Sequence, residues 1–302
     1  MNIATTDLNL LKVFEALHDE GSASRAALLL GVTQSAVSAA LSRLRVVYGD
    51  PLFLRTGRGL TPTLLANQLK PVISDALGKC RQSLSMAQPV PESFAGKSVT
   101  IGLSDDFEIA IGRRLVQVLA QRAPQLRVIF RQSHSQIIST ALLDRSIDLA
   151  LTSGGVSNRG LSRELLGEGG YSCLYDPQHL DLDPATFNLG QFVEHEQVLI
   201  SSGGFIGIVD EGLALLGLKR RVVASTTHFA ALPYLLKGTR MIATAPEHAA
   251  QMIAQVSGLK RLPCPVALRR YPIELGWRTQ ELHEASVIAA KAAVMECFQT
   301  AL

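Results

Sequence analysis

No run of this 302-residue chain is apolar for long enough to span a bilayer, and Met1 to Lys12 lack a basic stretch followed by an apolar core. The expectation is a cytoplasmic protein, neither exported nor inserted in a membrane. Cysteine is scarce. Cys80, Cys173, Cys264 and Cys297 stand far apart with no C-x-x-C or Cys/His ligand spacing, so no metal site is expected and all four read as reduced, structural thiols. Charge of one sign is scarce too: 29 basic residues against 26 acidic leave a net charge of only +3, so whole-chain electrostatics gives no reason to expect nucleic acid. There is no G-x-S-x-G elbow, no G-x-x-x-x-G-K-[ST] loop and no H-E-x-x-H. The histidines at 18, 134, 179, 195, 228, 248 and 283 are scattered, each reading as a surface or packing residue. No catalytic residue and no cofactor is therefore expected. A hydrophobic share of 47% with 18% charged residues excludes disorder, and the length suffices for two or three compact units.

What is present is concentrated near the start. Ala27 is small enough for two helices to cross closely, and Gly31 supplies the positive φ of a sharp turn. Thr33 can cap a second helix by accepting from one of its orphan N–H groups. Val37, Leu41, Leu44 and Tyr48 then fall at i, i+4, i+7 and i+11, one apolar stripe. The other side, Ser35, Ser38, Ala39 and Ser42 with Gln34 at its exposed N-terminal end, is a low face able to approach base edges in a major groove. An ordinary helix pair would share the alanine and leucine periodicity, but here charge is also segregated. The acids of the first 62 residues are Asp7, Glu15, Asp19, Glu20 and Asp50, whereas the bases from Ser22 onward are Arg25, Arg43, Arg45, Arg55 and Arg58. Gly57 and Gly59 predict a hairpin wing whose Arg55 and Arg58 can reach phosphate or a narrow minor groove. The combination points to double-stranded DNA, bound through Thr33, Gln34, Ser35, Ser38, Arg43, Arg55 and Arg58.

Around this segment, Leu8, Leu11, Phe14, Ala16 and Leu17 predict an opening helix over Asp7 to Glu20. Thr61 as N-cap and Pro62 at the first helical position predict the start of a long helix, bent at Pro71. Its stripe of Leu65, Leu69, Val72, Ile73, Ala76, Leu77, Cys80 and Leu84 has no neighbouring helix in sequence to cover it, so a second copy of the chain is the natural cover, with packing on its own chain as the alternative. A proline-rich hinge, Gln88 to Lys97, follows. From Ser98 the pattern alternates strand and helix: strands at Val99–Leu103, Leu126–Arg131 and Ile147–Thr152, helices at Phe107–Arg122 and Gln136–Asp144, implying a parallel sheet. Gly154 to Gly170 reads as a crossover. A second series follows: strands at Val198–Ser202, Arg221–Ser225 and Met241–Thr244, helices at Asp210–Leu216, His228–Lys237 and Pro246–Val256. Tyr271–Arg278 gives one more strand, and Leu282–Leu302 a closing helix that returns to the first lobe. The expected fold class is α/β with an N-terminal winged helix-turn-helix (1–63), a linker helix (64–88) and a region of two Rossmann-like α/β lobes (89–302). Lobe 1 covers about 97–165 and 267–302, lobe 2 about 166–266, with a ligand cleft at the carboxyl ends of their strands.

Leu28 to Arg45, followed by Gly49 to Thr63, resembles the winged helix-turn-helix of LysR-type transcriptional regulators, and the likeness in layout extends over essentially the full length, notably at Leu199–Ser202, Val209–Leu213, Arg221–Val223 and His228–Pro233. The resemblance implies a dimerising linker helix, an effector-binding region like that of periplasmic solute-binding proteins, homotetramers built from dimers, and a small-molecule coinducer that changes how DNA is bent or held. RNA polymerase is a further partner it brings into view, and a membrane is not. It matches the family's recognition glutamine to Gln34, its helix serine to Ser38 and its wing arginine to Arg55 or Arg58. Many members carry arginine directly after the helix serine, where this chain has Ala39; the alanine suits a subgroup whose members often respond to aromatic compounds. The resemblance places the effector on loops after strands and on helix N-termini, here Ser104, Asp105 and Phe107, Ser133 and Ser135, Ser201 and Ser202, and Thr226, His228 and Phe229. Hydroxyls and backbone donors there could bind a carboxylate, or Ser104, Ser133 and Thr226 could simply be N-caps. Asp105 and Asp106 would repel a carboxylate unless they turn away, an objection that an amine or phenol donor on the effector removes. An enzyme using the two-lobed cleft and a transport-type solute-binding protein are the alternatives; neither accounts for the DNA-binding head.

Overall fold

The computed structural model describes residues 7–57, 59–85, 93–201, 203–279 and 284–299, without side-chain detail at 81, 82, 84, 85 and 299. Helix α1 (Asn9–Glu20) buries Leu10, Phe14, Ala16 and Leu17 and stops where Gly21 enters the left-handed region at φ 57°. The hydroxyl of Ser22 then caps α2 (Ala23–Leu30), which ends at Gly31 with φ 66°. Helix α3 (Gln34–Tyr48) follows at 108° to α2, within the range of helix-turn-helix pairs. Its cap is Thr33, whose Oγ1 accepts from Ala36 N at 3.2 Å. Val37, Leu41 and Leu44 are buried as the stripe predicts, and Tyr48 is half-buried.

Strands β1 (Phe53–Thr56) and β2 (Gly59–Pro62) form the expected antiparallel wing. The wing is seated on the helices. Leu60 N donates to Gly21 O at 2.8 Å, and a Cβ on Gly59, whose φ is 131°, would stand 2.6 Å from that same oxygen. A side chain at Gly59 would push the strand off the carbonyl, so the approach requires glycine.

Helix α4 (Leu64–Ser85) begins later than expected. Thr61 and Pro62 pair with Leu54 and Phe53 in the wing, and the cap is Thr63, whose Oγ1 accepts from Ala66 N at 3.2 Å and donates to Asp50 Oδ1 at 2.8 Å. The helix continues through Pro71. Its stripe is also partly covered by its own chain, which corrects the reading that no neighbouring helix covers it. Ile73 and Leu77 are buried in the core that α1 shares, with Leu65 and Leu69 packed against it. Polar contacts complete the docking: Lys70 to Asp19 at 2.7 Å, Ser74 Oγ to Glu15 Oε1 at 2.8 Å and His18 Nε2 to Asn67 Oδ1 at 3.1 Å. Leu64, Val72, Ala76 and Cys80 remain exposed, the last three at i+4 spacing and Leu64 two such steps before Val72, with the polar Gln68 between them. The side chain of Leu84 and residues 86–92, which include the first half of the expected hinge, lie outside the described residues.

The chain divides into two compact units, residues 1–90 with 143–146 and the remainder. In the second unit, β3 (Ser98–Leu103) runs parallel to β4 (Arg127–Gln132) and β5 (Leu149–Thr152). Beside them β12 (Tyr271–Arg278) runs antiparallel to both β5 and β6 (Leu161–Gly169), giving the order β4-β3-β5-β12-β6. Helices α5 (Asp105–Arg122) and α11 (Ala285–Gln299) share the main core with this sheet, and α6 (Ile138–Leu143) contributes to a smaller one. A second sheet comprises β7 (Tyr171–Tyr175), β8 (Glu196–Ile200), β9 (Arg221–Thr226), β10 (Ile242–Pro246) and β11 (Lys260–Pro263), in the order β11-β7-β10-β8-β9. Cores on its two faces take in α7 (Leu189–Glu194) and α8 (Ile208–Ala214) in one, α9 (Leu232–Leu236) and α10 (Glu247–Ser257) in the other.

Two α/β lobes result, but their sheets are mixed and not parallel. The expected crossover from Gly154 to Gly170 is largely the long strand β6, which pairs with β12; the first crossing between sheets is confined to Gly170, and the second uses residues 264–270. Strands β7 and β11 and helix α7 were not anticipated. The expected helix His228–Lys237 is split into a 3-10 turn, Phe229–Ala231, and α9, with Pro233 in the first turn of α9. The ends predicted for the closing helix, 282–283 and 300–302, lie outside the described residues. Among the described residues no single helix is long and apolar enough to cross a membrane.

Candidate nucleic-acid interface and effector cleft

On the first unit, Thr33, Gln34, Ser35, Ser38 and Arg43 are all exposed along α3, and Arg55 is exposed on the wing. Gln34 and Ser38 from α3 line the same hollow of about 360 Å³ as Arg55 and Thr56 from β1. A polar helix face and a cationic strand thus converge on one concave surface. Not every expected residue is equally available. Thr33 is engaged as the cap and lies 2.9 Å from Ser35 Oγ, and Arg43 comes within 3.9 Å of Asp7. Arg58 lies outside the described residues.

The basic cluster also divides in a way its sequence did not show. Arg45 donates to Pro51 O at 2.9 Å and to Phe53 O at 3.0 Å, which ties α3 to the entrance of the wing. Arg25 pairs with Glu20 at 3.2 Å. These two arginines shape the surface more than they charge it.

In the second unit, Ser104 precedes α5 and follows β3, but its hydroxyl donates to Asp106 Oδ1 and makes no cap bond to the helix backbone. Asp105 reaches the other lobe, where its carboxylate accepts from Ala230 N at 3.2 Å. Ser133 lies beside this corner because its N–H donates to Leu103 O at 2.9 Å. Its hydroxyl is buried and has no hydrogen-bond partner among the described residues. Ser201 and Thr226 are neighbours at the ends of β8 and β9, where Ser201 N donates to Thr226 O at 2.8 Å, and Thr226 Oγ1 accepts from His228 N. Phe229 is half-buried, packed against its lobe's core. The contact from Asp105 to Ala230 therefore joins the Ser104 and Ser133 group to the turn that follows Thr226. Ser135 and His228 are exposed, and Ser202 lies outside the described residues.

Phe107 departs from its expected role. Its ring is 1% exposed and belongs to the core of the first lobe, because the first turn of α5 points it inward. There it stacks on His248 of α10 with ring centroids 4.6 Å apart and planes 9° from parallel. His248 Nε2 also lies 2.9 Å from the buried carboxylate of Asp106, and Nδ1 lies 3.5 Å from the hydroxyl of Tyr271. That hydroxyl donates to Gly170 O at 3.4 Å. Burial, followed by the negative charge of Asp106, pushes the Tyr271 phenol far above its ordinary range, so it remains a donor at neutral pH. Helices α5 and α10 meet in this cluster with Gly170 of the first crossing and with Tyr271, the first residue of β12. Sequence reading missed it because Asp106 and His248 are 142 residues apart and neither sits in a motif.

Residues 8–66 match the family described as bacterial regulatory helix-turn-helix protein, lysR family, and residues 94–298 match the LysR substrate binding domain. The chain belongs to the LysR family of transcriptional regulators. It is similar to the HTH-type transcriptional activator NahR of Pseudomonas putida, 32% identical over 282 residues covering 93% of each chain. It is also similar to the activator NagR of a Ralstonia species, 30% identical over the whole of both chains. Among solved structures, a probable transcriptional regulator from Pseudomonas aeruginosa superposes with a TM-score of 0.73 at 27% identity, covering 96% of this chain and 98% of that one. This LysR-type regulator binds DNA through its helix-turn-helix and a small-molecule effector through its substrate-binding domain. The enzyme and transport alternatives fall away, since relatives matching the chain from end to end are regulators.

Proposed function

We propose that this LysR-type regulator reads its DNA sites with Gln34 and Ser38 against base edges, while Arg55, Arg58 and Arg43 bind phosphate and Thr33 and Ser35 steady the start of α3. The observation that carries this reading is the shared hollow lined by Gln34, Ser38 and Arg55, which presents helix face and wing to one duplex. Segment 1–63 is the DNA-binding head, 64–88 the linker and 89–302 the regulatory region of a cytoplasmic protein. The exposed row Leu64, Val72, Ala76 and Cys80 on α4 supports a homodimer built on that face, and pairs of dimers complete a homotetramer.

The effector is a small aromatic acid or phenol held between the lobes by Ser104, Ser133, Ser201 and Thr226, near Phe229. Two features support it. Asp105 and Asp106 are already engaged, by Ala230 N and by Ser104 with His248, so neither stands bare against an anionic ligand. Ser133 Oγ is a buried hydroxyl still lacking a partner among the described residues, a state that a ligand's polar group would relieve. Contact with both lobes would favour one relative orientation of them, which is how binding would change the hold on DNA.

Three measurements test these readings. Gln34→Ala should cost about 1–3 kcal/mol at one base position of a specific DNA site, and Arg55→Ala should weaken all duplexes alike while reducing the salt slope by about 1; unchanged base preference in the first and an unchanged slope in the second would refute the interface. Val72→Asp should leave the fold intact and halve the mass seen by light scattering, because charge in an apolar interface is costly; the parent's mass would exclude that face. In a thermal-shift screen of aromatic acids and phenols, a hit at a hundredfold excess over its Kd should stabilise the protein by about 2.7 kcal/mol. Ser133→Ala should weaken the best hit, and equal binding would move the site elsewhere.

A further inference from the structure

Gly49-Asp-Pro-Leu-Phe53 carries the chain from the end of α3 into the wing, and its acid is engaged in both directions. Helix α3 ends at Gly49, which enters the left-handed region at φ 62°. Asp50 follows, half-buried, and one oxygen of its carboxylate accepts two bonds, from Leu52 N at 2.6 Å and from the hydroxyl of Thr63 at 2.8 Å. The first bond closes a turn in which Leu52, wholly buried, is held at φ 59°. A side chain with a Cβ adopts that conformation only where its surroundings impose it, so the turn depends on what locks it. The second bond reaches the start of α4, where the same Thr63 hydroxyl accepts from Ala66 N at 3.2 Å. Thr63 N also donates to Leu52 O at 2.9 Å. Further along, α4 docks on α1 through Lys70 and Ser74. The Asp50 carboxylate is thus a polar link running directly from the end of α3 to the cap of α4.

We propose that Asp50 is a positioning residue for DNA specificity: it fixes the angle between α3 and α4 and so sets the spacing between the two half-sites that one dimer accepts, a role that rests on the homodimer proposed on α4. Leverage makes the joint sensitive. Helix α3 has 15 residues, so Gln34 stands about 22 Å from Gly49. A tilt of about 10° at the joint displaces that end by roughly 4 Å, about one base-pair rise. Two half-sites are read together only when both α3 helices meet their grooves in register. With the joint locked, a wrong spacing is bound at a loss. With the joint loosened, the heads adapt and neighbouring spacings approach the affinity of the right one. Charge is not what the joint uses. Asparagine presents an acceptor oxygen in the same place, so Asp50→Asn keeps both bonds, whereas Asp50→Ala removes both.

The full-length protein selects its site from a random duplex library, and that site is remade with base pairs inserted or removed one at a time between its half-sites, beside a duplex carrying one half-site. Affinities are read by fluorescence anisotropy, mass by light scattering and fold by circular dichroism. Asp50→Ala should lower the affinity ratio between the best spacing and its neighbours several-fold while keeping the parent's mass and half-site affinity, and Asp50→Asn should restore the parent's ratio. Thr63→Val, which removes the donor but leaves the bond from Leu52 to Asp50, should flatten the preference in the same way, with Thr63→Ser as its control; this pair decides the matter if Asp50→Ala fails to fold. A folded Asp50→Ala that keeps the parent's sharp preference would overturn the proposal and leave the dimer standing. One that loses half-site and full-site affinity alike would also overturn it, since Asp50 would then serve the head alone. A parent that is monomeric, or that binds every spacing equally, would refute the dimer and this proposal with it.

Discussion

The carbonyl oxygen of Gly21 is the point on which the first unit turns. It ends α1, lies at the entrance to α2, and accepts the N–H of Leu60 from the wing. Because Gly59 carries no Cβ, the strand comes close enough to make that bond. Arg45 fixes the other end of the assembly by donating to the carbonyls of Pro51 and Phe53. With both ends tied, the side of β1 that bears Arg55 is held beside the polar face of α3. A surface assembled before DNA arrives avoids the entropic cost of ordering a loop during binding.

A comparable economy of contacts joins the lobes of the regulatory unit. Phe107, Asp106 and Ser104 belong to one lobe, His248 to the other, Gly170 to the first crossing, and Tyr271 to the start of β12 just after the second. If the proposed effector engaged the hydroxyl of Ser104, it would draw that donor from Asp106 and so act on the carboxylate that holds His248. Under the proposed function, that would give an occupied site a route to lobe orientation through side chains already in contact.

Features that depend on neighbouring residues were legible in the sequence. Gly31, the Thr33 cap, the stripe from Val37 to Leu44 and the strand at Tyr271–Arg278 need only local stereochemistry or periodicity, and they stand where expected. Features set by pairing at a distance were not. Thr61 and Pro62 carry a helix-start signature, yet hairpin pairing with β1 claims them and passes the cap to Thr63. Strand β6 hid in a glycine-rich passage because its largely half-exposed alternation resembles a loop, and β11 is four residues long and ends in proline. That Ser104, Ser133 and Ser201 follow strands and that Thr226 stands at the end of one was legible in the sequence. The Asp106 and His248 contact was not, since folding alone brings those residues together.

The central claim, that a wing seated by the Gly59 approach completes the DNA surface, is tested most directly by one comparison of binding. Affinity of Gly59→Ala for duplex DNA is measured by fluorescence anisotropy at fixed salt against the parent and against Gly57→Ala, whose added Cβ meets nothing within 4 Å. A Cβ at position 59 forces the strand from Gly21, so the account predicts weaker binding by Gly59→Ala alone, with helix content by circular dichroism unchanged. Equal affinity of all three proteins would contradict it.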